Sequence, residues 1–162
     1  ILKNFKVTLR PHPEHYKRSK KTIKEIKSIF LNNSNFNLDK NISNLKSLEK
    51  SNLLITDNSS IVFEFMLIFK RQIIYIDYKE KIHNNHIDKI PVISIDEEFK
   101  NKFGNVLNVK NLSQLSVLCE RLIIENKISN NSVESFAKEH LANLNHSASF
   151  AANYLIEKSK SI

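Results

Sequence analysis

The stretch that decides the fold is LLITDNSSIVFEFMLIFKRQIIYID, residues 53–77. It opens with the apolar run Leu53–Thr56, continues through Ser59–Phe69 with apolar residues at helical spacing, and closes with the apolar run Gln72–Asp77. The first run is typical of a strand buried on both faces, and strand, helix, strand is the order of a parallel crossover. These residues therefore predict an α/β fold with a mostly parallel sheet.

The same alternation of strands and helices extends in both directions from this stretch. Upstream, the pattern predicts the strand Phe5–Leu9, the helix His15–Leu31, the short strand Phe36–Leu38, and a short helix marked by Ile42, Leu45 and Leu48 that ends near Ser51. Downstream, it predicts a polar loop over Tyr78–Ile90, the strand Asn105–Val109, the helix Leu112–Glu125, and two closing helices at Val133–Leu141 and Ser147–Lys158. No internal repeat or Gly/Ser linker interrupts this order, so we expect one domain over residues 1–162.

Composition excludes several classes of protein. The 162 residues are 41% hydrophobic and 26% charged, which excludes a fully disordered chain. No apolar run approaches the ~18–20 residues that a membrane-spanning helix needs. A single cysteine, Cys119, excludes an internal disulfide and a multi-thiolate zinc site, and its apolar neighbours predict a core position in a protein of the reducing cytoplasm. A single glycine, Gly104, excludes the glycine-rich phosphate loops.

The net charge of +8 comes from 25 Lys+Arg against 17 Asp+Glu. Such an excess favours phosphorylated ligands, polyanions or an anionic membrane surface, although a biased composition would produce the same total. The first helix is especially basic, and its cations suit either peripheral membrane contact or solvent. They are Lys17, Arg18, Lys20, Lys21, Lys24 and Lys27.

Three groups of polar residues follow directly after predicted strands. Ligands of open parallel sheets bind beyond the carboxyl ends of the strands, so parallel strands would bring these groups to one rim. The groups are Arg10–Pro13, Thr56–Ser60, and Asp77 together with Lys79, Lys81, His83, Asn84 and Asn85.

The group Thr56-Asp57-Asn58-Ser59-Ser60 joins a strand to a helix. Such a turn presents backbone N–H groups and hydroxyls to one point, where the positive end of the helix dipole favours an anion. Without glycine, serine is the next small residue that lets phosphate oxygens approach. Helix capping would account for one of these residues, but not for five in succession. We therefore expect a phosphate site here.

Arg10 and His12 form the second candidate for phosphate binding. Pro11 and Pro13 flank His12 and hold it in one orientation. Arginine clamps phosphate with two hydrogen bonds, and histidine donates a hydrogen bond or transfers a proton, which makes His12 the candidate catalytic residue. The alternative is a plain turn that leads into the helix at His15.

Two acidic residues are candidates for the nucleoside of a ligand. Glu64 lies one helical turn after Ser60 on the same face and could reach ribose hydroxyls, or it is a solvated acid favoured by the helix dipole. Asp77 is the second candidate and is the last residue of the predicted strand Gln72–Asp77. His83 and His86 are a weak metal signal, because no carboxylates stand at suitable spacing. We expect no metal and no cofactor.

Taken together, three segments resemble the CDP-glycerol glycerophosphotransferase family, which includes teichoic-acid polymerases. They are Arg10–Pro13, Ser51–Ser60 (SNLLITDNSS) and Lys70–Asp77 (KRQIIYID), similar to the family's R-x-H-P turn, S-D-x-L-I-T-D-x-S-S segment and K-x-P strand. Residues 99–106 and 145–154 also resemble the family's tail. The departures from its pattern are Asn52, Gln72 and His146, none of which is a proposed phosphate ligand.

The resemblance implies a GT-B architecture of two Rossmann-like halves, of which this chain is the C-terminal, donor-binding half. A nucleotide-activated donor such as CDP-glycerol would bind here, and a polyol-phosphate or saccharide acceptor would bind in an N-terminal half that the chain lacks. The chain alone would then be inactive. By position, the donor diphosphate would be surrounded by Arg10, His12, Thr56, Asp57, Ser59 and Ser60, with Glu64 at the ribose.

The resemblance also implies a role in teichoic-acid or capsule synthesis at the cell envelope. The protein would be cytoplasmic and peripheral on the inner face of the membrane. Other interpretations remain open at this point: half of a capsule-type sugar transferase or of a nucleotide-sugar epimerase, a non-catalytic basic binding module, or a remnant that keeps only the fold. Nucleic acid is not an expected partner, because no RNA-binding aromatic motif or helix-turn-helix spacing is visible.

Overall fold

The structure, a computed structural model, describes residues 1–41, 45–78, 86, 89, 91–125 and 128–160. Short strands alternate with helices, as the sequence predicts. The strands are β1 (Val7–Leu9), β2 (Phe36–Leu38), β3 (Leu54–Thr56), β4 (Ile73–Asp77) and β5 (Gly104–Asn108). The helices are α1 (Pro13–Arg18), α2 (Lys20–Ile29), α3 (Lys46–Glu49), α4 (Ile61–Glu64), α5 (Ile95–Phe103), α6 (Leu115–Glu125), α7 (Asn130–His140) and α8 (Ser147–Ser159).

All strand pairs in the described residues are parallel, which confirms the predicted α/β fold with parallel strands flanked by helices. The strands divide between two sheets, however. β1 pairs with β2, and a second sheet has the order β3-β4-β5. In the second sheet Leu54 lies opposite Ile73, and Ile73 lies opposite Gly104. The central strand is therefore β4.

The expectation that Leu53–Thr56 is buried on both faces is wrong. In the described residues β3 is an edge strand that pairs only with β4, and its Ile55 side chain is 37% exposed. The central strand β4 is the buried one, with Ile73 and Ile74 at 0% exposure. An apolar run of four residues does not distinguish an edge strand from a central strand, because both bury at least one face.

Two groups of buried side chains form the core. The larger lies among α4, the turn Phe65–Phe69 that follows it, α5 and α7, and it includes Phe65, Met66, Phe99 and Phe136. The smaller includes Ile74, Leu107, Leu122 and Cys119. The predicted core position of Cys119 is confirmed, and burial raises the pKa of its thiol.

The predicted helix His15–Leu31 is two helices. It begins earlier, at Pro13, where the missing N–H of proline costs no helical hydrogen bond. It breaks at Ser19, whose backbone (φ −125°, ψ 38°) leaves the helical region. Neither α1 nor α2 contains a fully buried residue.

The predicted helix Ser59–Phe69 also changes character along its length. Its first turn is α4, and Phe65–Phe69 continue it as a π-helical turn that ends at Lys70, which has a left-handed backbone (φ 52°). The predicted helix Leu112–Glu125 begins as a 3₁₀ segment, Val109–Gln114, before α6. Both predicted closing helices are present, as α7 and α8.

Two further outcomes concern the segments between the strands. Helix α5 was not predicted. The predicted loop Tyr78–Ile90 lies mostly outside the described residues, as does Ile42 of the predicted short helix. Among the helices that the structure describes, none has the length and apolar content that crossing a bilayer demands.

Candidate functional site

The serine segment, residues 57–60, connects β3 to α4. Asp57, Asn58 and Ser60 are exposed, and Thr56 and Ser59 are half-buried. The hydroxyl of Ser60, which directly precedes α4, makes no capping hydrogen bond to the helix. The backbone carbonyls of Ser59 and Ser60 accept from the N–H groups of Val62 and Phe63, at 3.3 and 3.1 Å. The helical turn is therefore closed by the backbone, and helix capping does not use the Ser60 hydroxyl.

Asp57 is joined to the end of the neighbouring strand. The phenolic hydroxyl of Tyr78, the residue after β4, donates to Asp57 Oδ2 at 3.1 Å. This hydrogen bond and the negative charge of Asp57 raise the pKa of Tyr78, so the phenol stays protonated at neutral pH and remains a donor. Asp57 of the second predicted polar group thus contacts Tyr78, the residue that directly follows Asp77 of the third group.

Asp77, the last residue of β4, faces a cation from the helix that the sequence analysis missed. Lys100 Nζ of α5 lies 3.9 Å from Asp77 Oδ1, and it also lies 5.8 Å from the centre of the Tyr75 ring. The Lys100 side chain is only 18% exposed, whereas that of Asp77 is 44% exposed. Asp57, Tyr78, Asp77 and Lys100 therefore line the carboxyl edge of the β3–β4 pair.

The Arg10–Pro13 turn lies at the end of β1 and has a structural role. His12 Nδ1 accepts a hydrogen bond from the backbone N–H of Glu14 at 3.2 Å, and it thereby caps α1. Because Nδ1 accepts, the proton of the neutral ring is on Nε2. The His12 side chain is exposed, so a ligand can reach Nε2–H, which is a hydrogen-bond donor in this tautomer.

Arg10 lies near Asp39, the residue after β2. Several groups hold the pKa of Asp39 below its usual range: the nearby hydroxyl of Ser47, the backbone N–H of Asn41, which donates to Asp39 Oδ1 at 2.8 Å, and the positive charge of Arg10. Asp39 is also fixed through its backbone, because its carbonyl oxygen accepts from Tyr16 at 3.0 Å. Arg10 is thus part of the polar edge of the β1–β2 pair.

The structure does not join the first polar group to the serine segment through a common sheet. No strand pairing connects β1 to β3 in the part of the chain that the structure describes. The segment before β1 nevertheless packs on the second sheet, because Phe5 contacts the smaller core and Asn4 Nδ2 donates to Glu120 Oε1 at 3.0 Å. In the described residues, therefore, the second and third groups follow strands of one sheet, and the first group follows a strand of the other sheet.

Other predicted site residues are placed singly. Glu64 is exposed at the end of α4, four residues after Ser60. The remaining residues of the third polar group, which are Lys79, Lys81, His83, Asn84 and Asn85, lie outside the described residues. Tyr78 and Lys100 are the polar neighbours that sequence reasoning missed. The sequence does contain a signal for α5, the helix that carries Lys100, because Ser94 and Glu97 form a capped helix start.

Comparison with known protein families identifies the chain. Residues 1–89, more than half of its length, match the model of the CDP-glycerol:poly(glycerophosphate) glycerophosphotransferases. The chain belongs to this family. The matched region contains the Arg10–Pro13 turn, the serine segment and strand β4. No curated protein and no solved structure matches the chain.

Membership of the glycerophosphotransferase family establishes the general chemistry. The family is one of transferases in cell-surface polymer synthesis, and it implies a nucleotide-activated glycerol-phosphate donor such as CDP-glycerol. The exposed hydroxyl and amide groups at the carboxyl edge of β3 are suited to phosphate oxygens, because neutral donors of this kind hydrogen-bond to them at helix starts.

Proposed function

We propose that residues 1–162 form the donor-binding domain of a glycerophosphotransferase with GT-B architecture, and that the serine segment holds the donor diphosphate. One observation carries the proposal: the family match spans a strand-to-helix turn whose Ser60 hydroxyl is exposed and not used as a helix cap. The helical backbone after it runs through α4 and the π-helical turn, so its dipole favours negative charge at Ser59 and Ser60.

The Arg10–Pro13 turn contributes donors to the same diphosphate in this proposal. Arg10 supplies a guanidinium, which suits bidentate binding of phosphate oxygens. His12 supplies Nε2–H, because Nδ1 is occupied by the backbone of Glu14. His12 would therefore stabilise the charge on the departing phosphate as a hydrogen-bond donor through Nε2–H, and this is the catalytic role that the ring geometry supports best.

The nucleoside would lie along the carboxyl edge of β3 and β4. Glu64 is exposed one turn beyond Ser60, and its carboxylate oxygens can accept hydrogen bonds from ribose hydroxyls. Asp77 is a second acceptor, and Lys100 lies 3.9 Å from its Oδ1. Asp57 is less free to rearrange, since it already accepts from Tyr78.

The proposed reaction is transfer of glycerol phosphate. An acceptor hydroxyl attacks the phosphorus that carries glycerol, the bond from that phosphorus to the bridging oxygen breaks, and CMP leaves with the electron pair. The hydroxyl proton passes to a base of the acceptor-binding half. Positioning and neutralisation of phosphate charge dominate such transfers, and one lost donor typically costs about 3 kcal/mol of transition-state stabilisation.

Binding of CDP-glycerol is the first prediction. At a tenfold excess over the dissociation constant, ligand should stabilise the folded chain by about 1.4 kcal/mol and raise Tm by about 3–6 °C in a thermal-shift experiment. Replacing both Ser59 and Ser60 with alanine should abolish this rise, because the pocket loses both hydroxyl donors.

The matched control replaces two exposed serines of α7, Ser132 and Ser135, with alanine. This variant should respond to CDP-glycerol as the unmodified chain does. A folded chain that shows no shift with CDP-glycerol would contradict the proposal. A larger shift with UDP- or CMP-sugars in the same plate would assign the pocket to a sugar transferase or epimerase instead.

We further propose that α2 contacts anionic lipid at the inner face of the membrane. The side chains of Lys17 and Arg18 pair with Glu14 in α1, at 3.2 and 3.1 Å. The cations of α2 are exposed, and Ile29 and Leu31 at its end are 71% and 68% exposed. A basic helix with exposed apolar residues at one end is typical of peripheral binding to anionic lipid.

Vesicle flotation tests the membrane proposal. The chain should float with vesicles that contain phosphatidylglycerol, and not with neutral vesicles or in high salt, since each surface lysine contributes about 1 kcal/mol at an anionic surface. Changing four lysines of α2 to glutamine should weaken binding at least about tenfold; they are Lys20, Lys21, Lys24 and Lys27.

The charge-matched control changes four exposed lysines elsewhere to glutamine, namely Lys110, Lys138, Lys158 and Lys160. Equal losses in both variants would contradict a specific role of α2.

A further inference from the structure

Three side chains that commonly bind metals meet where α5 and α7 pack together. His140 Nε2 lies 3.1 Å from Glu98 Oε1 and 3.9 Å from Glu139 Oε2. One ligand atom from each of the three residues lies within 4.8 Å of the other two. None of these residues belongs to the proposed donor site.

These distances are close to those of a zinc site. Bonds of about 2.0–2.1 Å to nitrogen and about 2.0–2.2 Å to oxygen place the ligand atoms of a tetrahedral zinc roughly 3.3–3.5 Å apart. The two separations from His140 Nε2 differ from this value by about half an ångström or less, and the two carboxylate oxygens lie within 4.8 Å of each other, so rotation of the glutamate side chains would bring all three ligand atoms to one ion. Two carboxylates and a neutral imidazole also balance the charge of a divalent ion.

The backbone positions of the three residues are fixed by packing. The His140 ring stacks on Phe136 with 4.2 Å between ring centres, and the His140 side chain is only 20% exposed. Phe136 in turn contacts Phe99, which follows Glu98 in α5, at 5.3 Å. Because buried aromatic rings set the spacing of the two helices, the ligands are held close together before any ion binds.

We propose that Glu98, Glu139 and His140 form a Zn²⁺ site that connects α5 to α7, with three protein ligands and a fourth position open to water. An imidazole with two carboxylates suits zinc, whereas Mg²⁺ prefers oxygen ligands and keeps its waters. A simple ion pair with His140 would need only one of the two carboxylates, that of Glu98. The second carboxylate, from Glu139, supplies the additional ligand that a metal site requires.

Isothermal titration of the chelator-treated 162-residue chain with ZnCl₂ tests the site. We expect one ion per chain, with Tm about 5–10 °C higher at a hundredfold excess over the dissociation constant. MgCl₂ should have no such effect. In a ¹H–¹⁵N spectrum of the histidine rings, zinc should shift the Nε2 signal of His140. If His140 formed only a structural ion pair, added zinc would leave this signal unchanged.

Two variants make the result decisive. Glu98→Gln and His140→Ala should each weaken zinc binding at least about tenfold. Glu98→Gln preserves shape, so it remains informative if His140→Ala fails to fold. The control variants Glu134→Gln on α7 and His146→Ala before α8 should bind zinc as the unmodified chain does. Absence of one-to-one binding, or unchanged binding in Glu98→Gln, would overturn the proposal.

Discussion

Replacing Phe99 with alanine should lower the free energy of unfolding by about 3–5 kcal/mol, because it removes the ring at the centre of the larger core. The Phe99 side chain is 0% exposed. Its ring centre lies 4.6 Å from that of Phe63, 5.1 Å from that of Phe103 and 5.3 Å from that of Phe136. Aromatic rings of α4, α5 and α7 therefore lose contacts at once, and these helices cannot close the cavity without moving together.

Urea denaturation followed by circular dichroism measures this loss. Phe150→Ala is the matched control, since it deletes the same ring from α8, where Phe150 is 56% exposed and no residue is buried. The control should change the free energy of unfolding by less than about 0.5 kcal/mol. Similar losses in the two variants would show that α5 does not occupy the core as described.

The importance of Phe99 was not apparent from hydrophobic periodicity alone, because α5 was not predicted. The segment from Ser94 to Phe103 has only three apolar residues, and although Ile95, Phe99 and Phe103 lie four residues apart, three positions are too few to distinguish a helix by periodicity alone. Capping chemistry identifies it instead: Ser94 Oγ accepts from the N–H of Glu97 at 3.2 Å, and acidic residues occupy the first turn while lysines occupy the last. Capping residues are therefore the sequence signal that indicates this helix.

The sequence predicts that the strands pair in parallel, but it does not predict which strands are neighbours. Apolar runs joined by helices require parallel strands, and the structure confirms this. Sequence periodicity does not specify which strand lies next to which, because the pairing depends on contacts between distant residues. The division into two sheets, with β3 at an edge, was therefore not predictable from residues 53–77.

The candidate site shows the same division between local and distant information. Parallel strands predict that the residues after β3 and β4 meet, and the hydrogen bond between Tyr78 and Asp57 is the contact that joins them. Lys100 reaches Asp77 only because α5 packs beside β4, which no local pattern indicates. The capping bond of His12, in contrast, follows from its place directly before a proline-initiated helix.

Gly104, the chain's single glycine, is the first residue of β5 and lies against the ring of Tyr75. Its backbone (φ −84°, ψ 138°) is one that any residue adopts, so glycine is not required for conformation. Contacts require it: a Cβ there would lie 2.5 Å from the carbonyl oxygen of Lys100 and 2.7 Å from the Tyr75 ring. The ring has little room to move, since it is 3% exposed and its burial raises the pKa of Tyr75 to about 12.

These two properties make opposite predictions for Gly104→Ala. With an ordinary backbone, the change should stabilise the chain by about 0.4–1 kcal/mol, because alanine restricts the unfolded state. The close contacts instead predict a loss of about 3 kcal/mol and a Tm lower by roughly 6–12 °C, since neither the carbonyl of α5 nor the buried ring can yield cheaply. We expect the contacts to dominate.

Thermal denaturation of Gly104→Ala gives the sign of the change in Tm directly, and a rise in Tm would refute the packing of β5 against Tyr75. A double-mutant cycle identifies the cause, because Gly104→Ala should cost less in a Tyr75→Leu background, where only the clash with the Lys100 carbonyl remains.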